Sequence, residues 1–306
     1  MEQTTPAPQG RAGMVAVVGR TNVGKSTLLN RILEEKVSIV SPVAQTTRKL
    51  IRAILTEPRG QLAFVDTPGL HKTSEQLGHI MNRMARTAVE GVDVVLLVAD
   101  GSVPPRQEDE GWIQRIVAGQ TPCVVAVNKA DVHKTFEEIY RKVWAEKAAA
   151  KSSDLQAQWL RVSALNGNGI GRLLDTLFQL VPAGPHLFPD DVLTDYPRKL
   201  NMADIIREKL FGVLKEEIPH AIGVEVESIN ETPEGWTASA NIYTEKTSQK
   251  PIIIGHKGRI LRNVRHAAEA ELAEMYSKPV ALNLWVKVEK KWIKNYWILK
   301  KLGYVE

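Results

Sequence analysis

The sequence has almost no cysteine and no long apolar run. Cys123 is the single cysteine among 306 residues, so an internal disulfide is excluded, and its apolar surroundings are typical of a buried small hydrophobe. A spanning helix needs roughly 18 apolar residues, whereas the longest runs, such as Val92 to Ala99, have the length of a buried strand. Residues 1–13 are polar and lack the apolar core of a signal peptide. We therefore expect a cytoplasmic protein with a disordered tail over residues 1–12.

Acidic residues are scarce near the C-terminal end of the sequence. Between Lys246 and Lys301, 13 Lys and Arg stand against four Asp and Glu, whereas the rest of the chain holds 27 against 31. One strongly basic region in an otherwise slightly acidic chain indicates a polyanionic partner for that region.

The segment GRTNVGKST matches the pattern G-x-x-x-x-G-K-[ST]. The apolar run Met14 to Val18 predicts a buried strand before it, and Lys25 to Leu33 has helical spacing after it. Glycines let backbone N–H groups close around phosphate oxygens at the positive end of a helix. In such a loop, Lys25 reaches the β- and γ-phosphates and Ser26 binds magnesium. The predicted phosphate loop comprises Gly19, Arg20, Thr21, Asn22, Val23, Gly24, Lys25, Ser26 and Thr27.

A DTPG segment follows the predicted strand Gln61 to Val65. The carboxylate of Asp66 can hold magnesium through a water molecule, and the N–H of Gly69 can contact a γ-phosphate. Taken alone, the segment also fits an ordinary turn. With a phosphate loop 40 residues earlier, it becomes the expected second element of a nucleotide site. The residues predicted to contact the nucleotide here are Asp66, Thr67, Pro68, Gly69 and Leu70.

The polar stretch Lys36 to Leu50 contains a proline and little periodicity, which predicts a mobile loop. Its QTTR segment offers a threonine as a second magnesium ligand. We predict Thr47 for this role, with Thr46 as the alternative. Ordinary solvated loop residues are the competing interpretation.

Two further segments are predicted to bind the base. NKAD follows the predicted strand Pro122 to Asn128, and a carboxylate at Asp131 can accept two parallel hydrogen bonds from guanine N1–H and the N2 amine. Adenine offers no such pair of donors, so this residue predicts GTP over ATP; a helix-capping Asp is the alternative. SAL follows the strand Trp159 to Val162, where its backbone can contact guanine O6. The predicted base-binding residues are Asn128, Lys129, Ala130, Asp131, Ser163, Ala164 and Leu165.

Predicted strands and helices alternate through the first part of the chain. This alternation predicts an α/β fold with a doubly wound, mostly parallel sheet. Ligands of such sheets bind beyond the carboxyl ends of the strands, which is where the nucleotide motifs lie. We expect this P-loop domain over residues 13–181, a proline-rich linker over 182–198, and a second, α+β domain over 199–306.

The second domain contains the loop Gly255-His256-Lys257-Gly258. A G-x-x-G loop can clamp about four nucleotides of single-stranded nucleic acid, although a lone example is more often an ordinary turn. The basic balance around the loop, and the arginines that follow it at three-residue spacing, favour RNA binding. The predicted RNA-binding residues are Gly255, His256, Lys257, Gly258, Arg259, Arg262, Arg265 and Lys287.

The order helix, strand, strand, G-x-x-G, helix, strand resembles a type II KH domain. One local pattern disagrees, because Pro251 to Ile254 has the composition of a strand where that fold has a short helix. We follow the fold and predict the helix. Lys291 to Leu302 is predicted to be a terminal helix. Trp285, Trp292 and Trp297 can stack on bases, with core packing expected for most of them.

In this order, GRTNVGKST, QTTR, DTPGL, NKAD and SAL resemble the five elements of the translation-factor-related GTPases, over roughly the first 180 residues. The resemblance implies a GTPase that uses GTP, GDP and Mg²⁺, with catalytic roles for Lys25, Thr47 and Gly69 and with Ser26, Thr47 and Asp66 at the metal. Leu70 stands where Ras-like proteins have the glutamine that orients the attacking water. We therefore expect slow intrinsic hydrolysis and identify no general base.

With LNLWVKVEKKW and KLGYVE near its C-terminus, the chain is similar over nearly its whole length to the Era family of bacterial ribosome-assembly GTPases. The resemblance implies binding to small-subunit (16S) ribosomal RNA and to the assembling small subunit, under control of GTP and GDP. It also implies peripheral association with the inner face of the cell membrane in some members. We expect a monomer. Two alternatives stay open: a constitutive RNA-binding or chaperone module whose nucleotide site is structural, and an ATP-using P-loop kinase, against which Asp131 argues.

Overall fold

The computed structural model describes residues 10–41, 43, 47–69 and 76–305. These residues form two compact units. Within the described ranges, the first unit comprises residues 10–38, 47–69 and 81–195, and the second comprises 39–41, 43, 76–80 and 196–305. The first unit is an α/β fold and the second an α+β fold, so the predicted fold class is confirmed.

The first unit is built on a sheet to which the described residues contribute six strands. The strands are β1 (Arg11–Val18), β2 (Ile51–Glu57), β3 (Gly60–Asp66), β4 (Val94–Asp100), β5 (Cys123–Asn128) and β6 (Ala157–Arg161). Along the chain they alternate with α1 (Lys25–Leu33), α2 (Gln76–Thr87), α3 (Gln107–Gly119), α4 (Glu137–Ala150) and α5 (Ile170–Leu180). Residues 76–80 of α2 are counted with the second unit. The spatial order is β2-β3-β1-β4-β5-β6. As predicted from their short connection, β2 and β3 are antiparallel, and the other pairs are parallel.

Helices cover both faces of this sheet. The alternation of side chains along β1 sends Val15 and Val17 into one core, with Leu28 of α1 and Leu173 of α5. The opposite face carries a second core that contains Trp112 of α3 and Tyr140 of α4. Every residue of β4 and of β5 is buried, which is the pattern expected of parallel strands covered on both sides.

The second unit pairs a three-stranded sheet with helices, counted over its described residues. Its elements are α6 (Arg198–Val213), β7 (Ile222–Thr232), β8 (Gly235–Thr244), α7 (Gln249–Ile254), α8 (Arg259–Tyr276), β9 (Val280–Val288) and α9 (Tyr296–Lys301). β7 and β8 are antiparallel, whereas β8 and β9 are parallel. One core joins the sheet to α6 and α8, with Ile206, Ile242 and Ala268 fully buried. This element order is the one predicted for a type II KH domain.

The predicted domain boundaries need two corrections. Arg11 and Ala12, assigned to a disordered tail, begin β1, because Arg11 pairs with Gly60 and the N–H of Ala12 donates to Pro182 O at 3.1 Å. The predicted tail otherwise falls on residues 1–9, which lie outside the described residues, and on residue 10. Residues 182–195, assigned to a linker, belong to the first unit. Their backbone is hydrogen-bonded to its strands, for instance from Ile54 N to Leu193 O at 2.8 Å.

Two helices of the second unit test the local predictions. Residues 249–254 are helical despite the β-branched run, as the fold-based prediction required. The terminal helix predicted over Lys291 to Leu302 was wrong in extent: a 3-10 turn over Trp292–Lys294 is followed by α9. The side chain of Asn295 caps α9 and separates the two. None of the helices within the described ranges combines the length and apolar character needed to cross a membrane.

Candidate functional site

The predicted phosphate loop connects the end of β1 to the start of α1. Gly24 precedes α1 in a left-handed conformation with φ of 98°, which glycine adopts without steric cost. A Cβ at Gly19 would lie 2.4 Å from Val98 O, and a Cβ at Gly24 would lie 2.4 Å from Asn128 Nδ2. Both glycines are therefore required by close approaches as well as by backbone angles.

Lys25 turns inward across the loop. Its Nζ donates to Gly19 O at 3.1 Å and to Arg20 O at 2.9 Å. Burial lowers the pKa of Lys25 to about 8, against the opposing charge of Asp66. The ammonium group thus lies inside the curve of the loop, where anionic phosphate oxygens would replace neutral carbonyls as its partners.

The three predicted magnesium ligands lie together. Ser26 Oγ is 2.9 Å from Thr47 Oγ1 and donates to Asp66 Oδ2 at 3.0 Å. Ser38, which the sequence analysis did not identify, donates to the same Asp66 oxygen at 2.8 Å. The other oxygen, Asp66 Oδ1, is buried without a hydrogen-bond donor among the described residues, and burial raises the pKa of this carboxyl. Two hydroxyls and a carboxylate with a spare buried oxygen fit a hard divalent cation such as Mg²⁺.

The rest of the DTPG segment approaches the phosphate loop. Thr67 is fully buried and donates to Val17 O at 2.8 Å, and Pro68 is buried. A Cβ at Gly69 would lie 2.6 Å from Thr21 N, so glycine is needed for this contact of the two loops. Leu70 and the alternative ligand Thr46 lie outside the described residues.

Asn128 ties the predicted base-binding segments to the phosphate loop. Its Nδ2 donates to Val23 O at 2.8 Å, and its Oδ1 accepts from Ala164 N at 2.9 Å. Ser163 Oγ donates to the exposed carboxylate of Asp131. On the outer side, Arg31 of α1 donates to Leu165 O at 2.6 Å. NKAD and SAL therefore form one rigid edge beside the phosphate loop.

A cavity of 260 Å³ opens beside this edge. Residues of NKAD line it together with Gly101 and Arg161. Lys129 has a left-handed backbone with φ of 64°, and its ammonium group pairs with Asp100 at 2.7 Å. The carboxylate of Asp131 lies on the cavity wall, where it can accept hydrogen bonds from a ligand.

A buried charge network behind the phosphate loop was missed from the sequence. Arg20 Nε donates to Asp109 Oδ2 at 3.0 Å, and its Nη2 lies 3.3 Å from Asp100 Oδ2. The guanidinium of Arg20 is therefore held by two carboxylates, one of which, Asp100, also pairs with Lys129 of NKAD. Burial acts to raise the pKa of Asp100, but hydrogen bonds from Lys129 and Ser102 hold it below its usual value. Asp100 is the last residue of a buried strand, as Asp66 and Asn128 are, and that position was the available signal.

The predicted RNA-binding loop links α7 to α8. Gly255, Lys257 and Gly258 all have positive φ, at 74°, 50° and 74°. A Cβ at Gly255 would lie 2.6 Å from the side chain of Ile260, whereas a Cβ at Gly258 would meet nothing within 4 Å. His256 and Lys257 are exposed. The loop thus presents an exposed positive side chain on a backbone that a ligand can approach closely.

A groove of 320 Å³ runs between α8 and β9 beside this loop. Gly258, Arg262 and Arg265 line one side, and Leu284 and Trp285 line the other. Cations facing apolar and aromatic groups are suited to the phosphates and bases of a single strand.

The remaining predicted RNA contacts and the three tryptophans also have defined positions. Arg259 and Lys287 are exposed but do not line the groove. Of the three tryptophans, Trp292 is fully buried, whereas Trp285 is 52% and Trp297 71% exposed. Core packing therefore holds for one of them, and two present their rings to solvent.

The sequence matches two family models. Residues 14–129 match the family described as 50S ribosome-binding GTPase, and residues 217–293 match the KH domain family. The first match spans the phosphate loop, the DTPG segment and the start of NKAD. The second spans the G-x-x-G loop and the groove.

Curated relatives and solved structures extend the similarity to nearly the whole chain. GTPase Era of Thermoanaerobacter sp. (strain X514) is 44% identical over 298 residues, covering 96% of both chains. GTPase Era of Crocosphaera subtropica is 38% identical, covering 97% of this chain and 94% of the relative. A crystal structure of an Aquifex aeolicus Era variant bound to GDP·AlF4⁻ has a TM-score of 0.88 at 35% identity, and covers 97% of this chain and 100% of its own. A structure of Era with MgGDPNP and nucleotides 1506–1542 of 16S ribosomal RNA has a TM-score of 0.89 at 36% identity, with the same coverage. With its phosphate, base and G-x-x-G segments in the places described above, the chain belongs to the Era family of GTPases.

Proposed function

We propose that the protein binds and hydrolyses GTP and uses the bound nucleotide to control RNA binding by its KH domain during assembly of the small ribosomal subunit. The observation that carries the nucleotide part is the double hydrogen bond of Asn128, at 2.8 Å to Val23 O and 2.9 Å from Ala164 N. It joins the segment expected to hold phosphates to both segments expected to hold the base. One ligand with a triphosphate at one end and a purine at the other fits that arrangement.

The choice of guanine rests on Asp131. Its carboxylate is exposed beside the 260 Å³ cavity and accepts a hydrogen bond from Ser163. That bond leaves acceptor capacity for the two parallel donors of guanine. Adenine would place no such pair there, which argues against the ATP-using kinase.

The residues of the site would bind the phosphates and the metal ion, and none of them is proposed as a general base. Lys25 would neutralise the β- and γ-phosphates, Ser26 and Thr47 would hold Mg²⁺ with Asp66, and the N–H of Gly69 would contact the γ-phosphate. Bound Mg²⁺ would supply charge neutralisation across the phosphates. No residue is assigned to activate water, so the proposal keeps a slow intrinsic rate that a partner raises.

The proposed RNA partner is bound by the second unit, which is the KH domain. The relative with a 16S ribosomal RNA fragment aligns with 97% of this chain, whereas the family model that names the 50S ribosome covers residues 14–129 only. The G-x-x-G groove lies outside those residues. We therefore propose 16S ribosomal RNA and the assembling small subunit as the partners.

The competing function is a constitutive RNA-binding module with a structural nucleotide site. Two measurements separate them: multiple-turnover GTP hydrolysis with and without small ribosomal subunits, and RNA affinity with a GTP analogue against GDP. The switch predicts turnover above that of a Lys25→Ala variant, and unequal RNA affinities. Equal affinities together with no turnover would leave only the structural role.

The proposal also includes a cytoplasmic monomer that associates peripherally with the inner face of the cell membrane. The membrane part rests on the family resemblance. Light scattering across a range of protein concentrations tests the monomer. Co-sedimentation with vesicles of anionic phospholipid tests the association, and its absence at physiological ionic strength would remove that part.

A further inference from the structure

We propose that α9 carries a second RNA contact, which extends the single-stranded clamp of the G-x-x-G groove. The contact is the aromatic–lysine surface, defined as Tyr296, Trp297, Lys290, Lys291, Lys294 and Lys300. Its ligand would be an unpaired nucleotide next to the segment held in the groove, with a base stacked on the aromatic pair and phosphates beside the lysines. The inference rests on the proposed RNA-binding function and adds a site to it.

Packing of the C-terminal segment forces this aromatic pair outward. Trp292 is fully buried and donates through Nε1 to Ala221 O at 3.0 Å. Leu299 and Leu302 are buried as well, at 2% and 1% exposure. With these three side chains fixed in the core, the opposite side of α9 faces solvent. The surface is therefore a consequence of the fold rather than of a loose chain end.

The aromatic pair has a defined geometry. Tyr296 is 50% and Trp297 71% exposed, and their ring centroids lie 5.5 Å apart with an angle of 76° between planes. Asn295 Oδ1 accepts from Trp297 N at 3.1 Å and fixes the start of the helix. An edge-to-face pair with half or more of each side chain exposed offers aromatic surface at little entropic cost, which suits stacking by a base.

Charge surrounds the pair. From 289 to 301 the chain has five lysines and one acidic residue, Glu289. Lys301 pairs with Glu225 at 3.6 Å. The four lysines of the surface are exposed, and none of them forms an ion pair within the described residues. Four exposed cations that lack an ion-pair partner in the described part of the chain, close in sequence to two exposed rings, are complementary to a polyanion with aromatic bases.

The sheet places this surface at the same end as the G-x-x-G loop. β8 and β9 run parallel, with Thr244 paired to Val288, and Glu289 N donates to Thr244 O at 2.8 Å. After the end of β8 the chain forms α7 and then the G-x-x-G loop, and the aromatic–lysine surface follows the end of β9. β9 leads away from the groove with Trp285, which lines it, and then exposes Lys287. From Trp285 to Val288, where β9 ends, the strand spans about 10 Å. The exposed Lys290 and Lys291 follow in the chain, so exposed aromatic and basic groups continue from the groove toward α9.

Because the exposed groups continue from the groove, we infer that the ligand of the aromatic–lysine surface is RNA rather than a lipid membrane. Aromatic and lysine side chains also suit an anionic membrane interface, but a membrane site does not need a track that leads from a nucleic-acid groove. The lipid is therefore an outcome of the test.

The test uses the full chain and RNA of nucleotides 1506–1542 of 16S ribosomal RNA. Tyr296→Ala and Trp297→Ala should each weaken the affinity by about five- to a hundred-fold, which is the range for loss of one stacked base. Trp297→Phe should retain most of the affinity. Val213→Ala, which truncates an exposed apolar residue at the end of α6, is the matched control and should bind as the wild type does. GTP affinity and the melting temperature should not change in any variant.

Three outcomes are informative. Wild-type protein that does not bind the RNA would overturn the proposed RNA function itself. Wild-type binding with unchanged affinity of both alanine variants would overturn only this inference. Alanine variants that keep RNA affinity but lose binding to vesicles of phosphatidylglycerol and phosphatidylethanolamine would assign the surface to lipid and also overturn it.

Discussion

Arg20 Nε lies 3.0 Å from Asp109 Oδ2, and this buried ion pair fastens the phosphate loop to the first turn of α3. Burial raises the pKa of Asp109, against hydrogen bonds from the Arg106 backbone and from Arg20. Replacing Asp109 by Ala leaves a buried guanidinium with one carboxylate fewer. We expect the free energy of unfolding to fall by about 3 kcal/mol, at the lower end for a broken buried pair because Asp100 remains. Urea titration followed by circular dichroism measures it.

The control for that substitution lies one residue further along α3. Glu110 pairs with Lys147 at 3.0 Å, and its side chain is 43% exposed. Glu110→Gln should therefore cost about 0–1 kcal/mol. Equal losses in the two variants would mean that the buried pair is no more important than a surface one.

Asn128→Asp tests the joint between the phosphate and base segments. The substitution keeps the acceptor for Ala164 N but replaces the donor to Val23 O by a carboxylate oxygen, which repels that carbonyl. We expect GDP affinity to fall by about ten- to a hundred-fold, from a loss of about 1–3 kcal/mol, as measured by isothermal titration calorimetry. Asn166→Asp is the control. The side chain of Asn166 accepts a hydrogen bond from Asn168 N at 3.0 Å, and an aspartate can accept that bond equally well. Unchanged GDP affinity in Asn128→Asp would contradict the proposed joint.

Asp131→Asn tests base selection. Loss of charged acceptors should cost on the order of 1.5–3 kcal/mol for each hydrogen bond to guanine. An amide can instead donate to the C2 carbonyl of xanthine, so affinity should move from GTP toward xanthosine triphosphate. Competition with a fluorescent nucleotide measures both ligands. Asp154→Asn, at an exposed site of the same unit, is the control and should change the affinity for neither nucleotide. If Asp131→Asn kept its preference for GTP, Asp131 would not belong to the base site.

Asp66→Asn tests the magnesium site. The amide can still accept from Ser26 and Ser38, so folding should be preserved, but it no longer offers the negative charge that a divalent cation prefers. We expect the Mg²⁺ concentration needed for tight GTP binding to rise by about 10- to 100-fold. Titration of Mg²⁺ into EDTA-treated protein with GTP analogue gives this value. Asp93→Asn is the control, because the carboxylate of Asp93 accepts a hydrogen bond from Met14 N at 2.7 Å. An unchanged Mg²⁺ requirement in Asp66→Asn would exclude Asp66 as a metal ligand.

The elements that carry the nucleotide motifs could be predicted from the sequence because they are local. The phosphate loop, its strand and α1 lie within about two dozen consecutive residues, and α1 has the predicted bounds. The parallel sheet then brings the ends of β1, β3 and β5 to one edge without further information. The Arg20 network has no such local pattern, since its partners Asp100 and Asp109 lie 80 and 89 residues away.

The second unit illustrates how local preference loses to fold. Ile252, Ile253 and Ile254 favour a strand, yet they form the last turn of α7, where Ile253 is fully buried. Pro251 is tolerated because it lies in the first turn of that helix, where its missing N–H has no helical partner. In the terminal segment, by contrast, Asn295 was a local capping signal. The apolar pattern alone predicted one continuous helix there.

Gly258→Asp tests whether the G-x-x-G loop binds RNA, and separates the effect of a negative charge from that of a side chain at a glycine with positive φ. The position has φ of 74° and open space for a Cβ, so a side chain costs about 1–2 kcal/mol of strain without a clash. Gly258→Asn has nearly the same size and tolerates this conformation better than most residues, which makes it the matched control for charge. Both variants should bind GTP normally. Asp should weaken binding to the 1506–1542 RNA by more than Asn does, and the difference should shrink at high salt because it is electrostatic. Filter binding at two salt concentrations provides the comparison, and equal RNA affinity in wild type and Gly258→Asp would remove this loop from the interface.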